Sequence, residues 1–212
     1  MGIETFFNIP IKKREKIIEA STKEFAHRGY SGASINSIIT RIGIAKGSIF
    51  NYFGDKNGLF LYIFNYSVEK VKDYLRDVRL ETSKVDFFSR LRQILQAGVE
   101  FTEKYPDIYR LYIRMILHSD IPLGENLQKS VREYAHDFLC GLLYEAIEKN
   151  EIKPEINVGV TAFAIEAVMD RFLQTRILPY LDPGTGLYNA APEQTEKLIN
   201  EIIEILKNGI SI

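Results

Sequence analysis

Cysteine is nearly missing from this chain: Cys140 is the only one in 212 residues. A single thiol excludes an intrachain disulfide and gives no basis for a zinc or redox site. Proline is scarce as well, with seven residues and none between Ile11 and Tyr105. A proline-free stretch of that length favours regular structure over loops. Long hydrophobic runs are absent, so no segment reaches the roughly 18 apolar residues of a membrane-spanning helix. The first twenty residues lack the apolar block and small-residue cleavage site of a signal peptide, and the expected location is the cytosol. Catalytic signatures are missing too: there is no HExxH, CxxC, GxSxG, Walker loop or GxGxxG. His27, His118 and His136 share no metal-ligand spacing. The chain therefore reads as a non-enzyme that needs no metal or cofactor. Neither sign of charge dominates. Lys and Arg number 27 against 28 Asp and Glu, a formal net charge of −1, which as a total argues against a polyanionic partner.

What is present is helical periodicity. At 46% apolar and 26% charged, the composition is that of a globular protein, and the length suits one or two domains. Apolar residues recur every three or four positions in 14–30, 59–78, 87–105, 107–117, 125–149, 157–178 and 193–209. No segment alternates with period two between turn signals, so no strand is expected. Pro106 and Pro192 read as helix-start prolines, and Pro122 and Pro154 as breaks. Gly29 reads as a helix stop, and 179–192, rich in Pro and Gly, as the one long loop. The fold class is all-α with about nine helices.

Residues 34–53 are the informative segment. Ser34 can cap a short helix burying Ile35, Ile38 and Ile39. Gly43 stands two turns later, where a left-handed residue would end that helix. Ile44 can plug the corner, and a second short helix runs from about Ala45 to Asn51. Two short helices joined at a glycine form a helix-turn-helix, which can lay its second helix in a DNA major groove. The start of that helix offers the Lys46 cation, Gly47 with no side chain to obstruct backbone approach, and the small Ser48 hydroxyl. The local charge agrees. Residues 1–56 hold nine Lys and Arg against five Asp and Glu, a formal +4 that leaves −5 for the remainder. The near-zero total hides a basic module, and Lys12-Lys13-Arg14 at its start could reach phosphates.

The stretch from about Arg14 to Leu59 resembles the DNA-binding domain of the TetR family of bacterial transcriptional regulators. The matching residues are Ile18, Ala20, Phe25, Gly29-Tyr30, Ala33-Ser34-Ile35, Ile38, 43–50, Tyr52-Phe53, Lys56 and Leu59. The resemblance implies a three-helix DNA-binding domain over 1–56 and a helical ligand-binding and dimerisation domain over 57–212. It implies DNA contacts by Ser34, Lys46, Gly47, Ser48, Asn51, Tyr52 and Lys56, with Asp55 capping the helix that Lys56 begins. Three departures from the family pattern stand out: Phe50 where tyrosine is usual, Ala45 where serine is usual, and Ile39 with Ile42 in place of alanines. Phe50 and Phe53 read as core packing rather than DNA contacts.

The resemblance further implies a homodimer built on the last two helices, with Phe163, Phe172, Leu198, Ile202 and Ile205 at its interface. The helix 157–178 is apolar on nearly every side, so several of its faces need cover. Within it, Glu166 and Asp170 call for partners, and an ion pair across the dimer is the expectation. Phe88, Phe101, Tyr105, Tyr109, Tyr112, Met115 and Phe138 are candidate lining for an effector pocket, with Arg114 or His118 as polar anchors. The function implied is a repressor that binds a palindromic double-stranded DNA operator, away from membranes, and is released by a small, largely apolar molecule. The competing reading is a helical adaptor of the same fold that has lost specific DNA binding.

Overall fold

Each expected periodic segment forms a helix, and the ends fall where local chemistry puts them. In the computed structural model, which describes residues 2–117 and 125–210, ten α-helices are found. They are α1 (Gly2–Phe7), α2 (Ile11–Gly32), α3 (Ile35–Ile42), α4 (Lys46–Phe53), α5 (Lys56–Glu81), α6 (Phe87–Lys104), α7 (Pro106–Leu117), α8 (Glu125–Glu148), α9 (Val158–Ile177) and α10 (Pro192–Ile210). A 3-10 turn at Pro179–Leu181 interrupts the long loop. The described residues contain no strand. Prolines 106 and 192 do open helices, whereas Pro122 and His118 lie outside the described residues. The helix beyond the expected nine is α1.

The chain divides into two compact units, residues 1–72 with 105–128, and residues 73–104 with 129–212. The division falls inside α5, after Lys72, and the whole of 1–56 lies in the first unit. That unit also takes in α7, which packs along α2. His27 Nε2 lies 2.9 Å from Asp107 Oδ1, and the Arg114 guanidinium donates to the His27 carbonyl at 3.2 Å. The core of this unit is formed by Ile17, Phe25, Ile38, Ile49, Leu59, Phe60, Ile63 and Phe64, all essentially inaccessible to solvent. Fully burying such side chains stabilises the fold by roughly 1.5–3 kcal/mol each.

The second unit has its own core, centred on Leu91, Leu95, Leu142, Leu143, Ile165, Phe172, Ile199 and Ile203. A cation is also buried here. The Arg90 guanidinium donates to Glu145 at 2.7 Å, to the Thr82 hydroxyl at 3.2 Å and to the Arg79 carbonyl at 3.3 Å. These bonds offset the cost of taking the charge out of water. Burial works against the Glu145 carboxylate, but hydrogen bonds from Arg90 and Arg79 outweigh it and hold its pKa below the usual range.

Candidate nucleic-acid interface

The helix-turn-helix is built by three local devices. Ser34 sits in extended conformation, and its hydroxyl accepts from the Ser37 amide at 3.4 Å, capping α3. Gly43 closes α3 with φ 68° and ψ 38°, a left-handed conformation that a side chain would strain. Asp55 caps α5 by accepting from the Gly58 amide at 2.8 Å. Ala45, in contrast, provides no side-chain cap for α4, as expected of an alanine. At the end of α2, Gly29 takes φ 68° and interrupts the helical dihedrals.

A fourth device ties α2 to α3. Glu24 is buried on α2, and its Oε1 accepts from the Ser34 backbone amide at 3.1 Å. The carboxylate thus fixes the N-cap residue of α3 and places negative charge at that helix's positive end. Nothing in the spacing of Glu24 singles it out in the sequence. The same groove is lined by Lys23, His27, Arg28, Ser37 and Arg41. The Glu24 acceptor is engaged inward while the cations stand around it.

The outer face of α4 carries the expected contact residues. Ile49 and Tyr52 face inward and are buried. Lys46, Gly47, Phe50 and Asn51 are exposed, and Ser48 is half-buried. These exposed positions recur one turn apart, so they share a face. Phe50 departs from the core role expected for it: it is 39% exposed, with the Lys46 ammonium 5.8 Å from its ring centre. Phe53 does pack inward, 4.9 Å from the Phe6 ring and 5.2 Å from the Tyr62 ring. No acidic residue occurs in the first turn of α3 or α4. At the amide end of α4 the partial positive charge therefore suits phosphate; at α3 Glu24 already offsets part of it.

Two expected contact residues have inward engagements. The Tyr52 ring is buried, 5.7 Å from that of Phe6. Lys56 donates from Nζ to the Ser31 carbonyl at 3.2 Å and lies 4.9 Å over the Tyr30 ring. In the leading basic trio, the Arg14 guanidinium stands 5.9 Å from the Phe7 ring.

The remaining candidates fall in both units. Tyr105, Tyr109, Tyr112 and Met115 belong to the first, with Tyr109 and Met115 buried and the Tyr109 and Tyr112 rings stacked at 6.0 Å. Phe88, Phe101 and Phe138 belong to the second, where Phe88 and Phe101 are buried and Phe138 is half-buried. Of the dimer candidates, Phe163 is 66% and Ile205 71% exposed. Leu198 and Ile202 are half-buried, and Phe172 is enclosed in its own subunit's core. Val160, Ala164, Ala167 and Val168 extend the apolar exposure along α9. The pairing of Glu166 and Asp170 differs from the cross-dimer expectation. Both accept from Arg132 of α8 in the same chain, at 3.1 and 3.2 Å. Burial pushes the Asp170 carboxyl up, with Arg132 opposing and Glu166 reinforcing the shift.

Comparison with known proteins agrees with this arrangement. Residues 17–63 match the family described as bacterial regulatory proteins, tetR family, and residues 85–211 match the tetracyclin repressor-like C-terminal domain. The uncharacterized HTH-type transcriptional regulator YuxN of Bacillus subtilis is 26% identical over 205 residues. That alignment covers 95% of this chain and 65% of YuxN, so the chain spans just under two thirds of that relative. A crystal structure of a TetR family transcriptional regulator from Chloroflexus aurantiacus J-10-FL is similar with a TM-score of 0.77 at 28% identity, covering 99% of this chain and 98% of that one. The transcriptional regulator FadR from Bacillus subtilis, in complex with stearoyl-CoA, shares the fold with a TM-score of 0.68 at 19% identity, covering 91% and 96%.

Proposed function

This chain belongs to the TetR family of bacterial regulatory proteins, and from that premise we propose that it is a homodimeric repressor reading a palindromic operator through α4. The observation that carries the reading is the outer face of α4, where Lys46, Gly47 and Asn51 stand exposed on a helix-turn-helix fixed by Ser34 and Gly43. An eight-residue helix spans about 12 Å and so meets only a few base pairs. Two copies with their α4 helices one duplex turn apart read enough sequence to select a site. Phosphate contacts from α2, α3 and Lys56 fix the register, and the exposed residues of α4 read the base edges. The exposed apolar residues of α9 and α10, Phe163 and Ile205 among them, support the last two helices as the face where the second copy docks.

Release follows from linkage. A small, largely apolar effector that binds better to one spacing of the two reading heads shifts the equilibrium away from the DNA-competent form. The long helix α5 carries the movement. The stearoyl-CoA held by Bacillus subtilis FadR supports this fold as a holder of ligands that carry a long apolar chain.

The test is duplex binding as a function of salt. A protein that neutralises phosphates loses affinity steeply as salt rises, and Lys46→Ala weakens binding at every salt concentration. Failure to bind any duplex at low salt would favour the adaptor reading instead.

A further inference from the structure

α4 is poorly equipped to hold its own shape. It has two turns, no side-chain cap at Ala45 and a glycine in its first turn. Isolated helices shorter than about 12 residues are marginal even with strong helix formers, and Gly47 costs a further ~1 kcal/mol relative to alanine. Its inward anchors are the buried Ile49 and Tyr52 and, at its end, the half-buried Phe53. Its order must therefore come from what packs on those anchors.

The packing comes from α1, a helix outside the helix-turn-helix. Phe6 is fully buried, and its ring lies 5.7 Å from Tyr52, 4.9 Å from Phe53 and 5.2 Å from Tyr62. The ring thus joins the end of α4 to the first turns of α5. Gly2 makes the approach closer still. A Cβ at this position would stand 2.8 Å from the Asn51 carbonyl and 2.9 Å from the Tyr52 carbonyl. Both are backbone atoms, so any side chain there would force α1 and α4 apart. Phe7 adds a second ring, 5.9 Å from Phe6 and 6.3 Å from Tyr62, with Arg14 of α2 over its face.

We propose that α1 is a clamp on the reading helix, with Phe6 as its positioning residue and Gly2 as the close-contact point. Neither residue is among those expected to contact DNA. They act by holding the last turn of α4, and with it Asn51, at a fixed angle to α5. The proposal deepens the operator-reading function and rests on it for its DNA arm alone.

The test compares the full-length protein with Phe6→Ala, Phe6→Leu and Gly2→Val. Amide hydrogen exchange, without DNA, is read for α4 against α2 and α3. Phe6→Ala and Gly2→Val should lower protection in 49–53 by roughly a hundredfold while α2 and α3 keep theirs, and Phe6→Leu should restore most of it. Duplex recovered by selection with the wild-type protein gives the second readout. Both disruptive variants should lose roughly tenfold or more in affinity for it, the size of one base-pair contact. Affinity for random duplex and its salt slope should hold, because the phosphate contacts remain. Uniform loss of protection across α2, α3 and α4 would overturn the clamp, making α1 ordinary core. So would unchanged protection of 49–53. Selective loss in 49–53 in a protein that selects no duplex would uphold the clamp and refute the operator reading.

Discussion

Substituting Glu24 with alanine should loosen the start of α3, at the expected DNA contact Ser34, while leaving the contact side chains themselves unchanged. The carboxylate is 7% exposed and accepts from the Ser34 amide at 3.1 Å. Its removal leaves that amide, set between α2 and α3, without its acceptor, at a cost of about 1–3 kcal/mol. The negative charge at the positive end of α3 is lost as well, worth about 0.3–1 kcal/mol. Lys23, Arg28 and Arg41 line the same groove and lose the anion among them. The expected destabilisation is about 1–4 kcal/mol. Glu24→Gln keeps the acceptor and the shape and removes only the charge, so it should cost under about 1 kcal/mol. Native-state hydrogen exchange of the Ser34 and Ser37 amides measures both directly, with the second unit as an internal control. If Glu24→Ala changed exchange free energy by less than about 0.5 kcal/mol, or if Gln cost as much as Ala, the hydrogen bond would not be what holds α3 in place.

Other outcomes follow from the same geometry. Phe163→Asp with Ile205→Asp puts charge on two side chains that are 66% and 71% exposed in one chain. Sedimentation should show a monomer with native helicity, and a persistent dimer would place the interface elsewhere. Asp182 is a pH-dependent loop anchor. Its carboxylate accepts from the Tyr188 amide at 3.0 Å, the Thr185 hydroxyl at 2.7 Å, and the Thr185 and Gly184 amides at 2.8 and 3.1 Å. These bonds, the Tyr188 amide first, lower its pKa from 3.8 to about 2. A depressed carboxylate pKa contributes stability above the ordinary value and loses it as pH falls through the folded one. The 182–188 loop should therefore hold at pH 4 and open as pH falls towards 2. An NMR titration of the Thr185 and Tyr188 amides with its midpoint near 3.8 would refute the anchoring. Ser34→Ala should cost about 0.5–1 kcal/mol, the low end for a cap because its bond to Ser37 is long at 3.4 Å. Thermal denaturation of the isolated pair of proteins, wild-type and variant, checks it.

What could be read from sequence was set by how local its cause is. Ser34, Gly43 and Asp55 act on residues within four positions, so their capping roles were visible from residue type and spacing. The apolar period of the long helices reports burial directly, and the prolines at 106 and 192 mark helix starts because a missing amide is harmless there. α1 was not legible, since six residues show too little period to declare a helix and its purpose lies in rings 46 to 56 positions away. Glu24 was hidden for the same reason: its partner is ten residues on, across a helix end. Glu166 and Asp170 announced a need for a cation, but not that Arg132 of α8 meets it within the chain. Phe50 faces outward, against the core role its residue type suggests, because the buried Ile49 and Tyr52 already fill the inner face of so short a helix.

Selection of bound sequences from a random duplex pool tests the central claim most directly. The account predicts a palindromic site whose half-sites are centred one duplex turn apart, about 34–36 Å, with enrichment lost for Lys46→Ala. A pool with no enriched sequence, or a single asymmetric site bound by one copy, would contradict a dimer that reads DNA through α4.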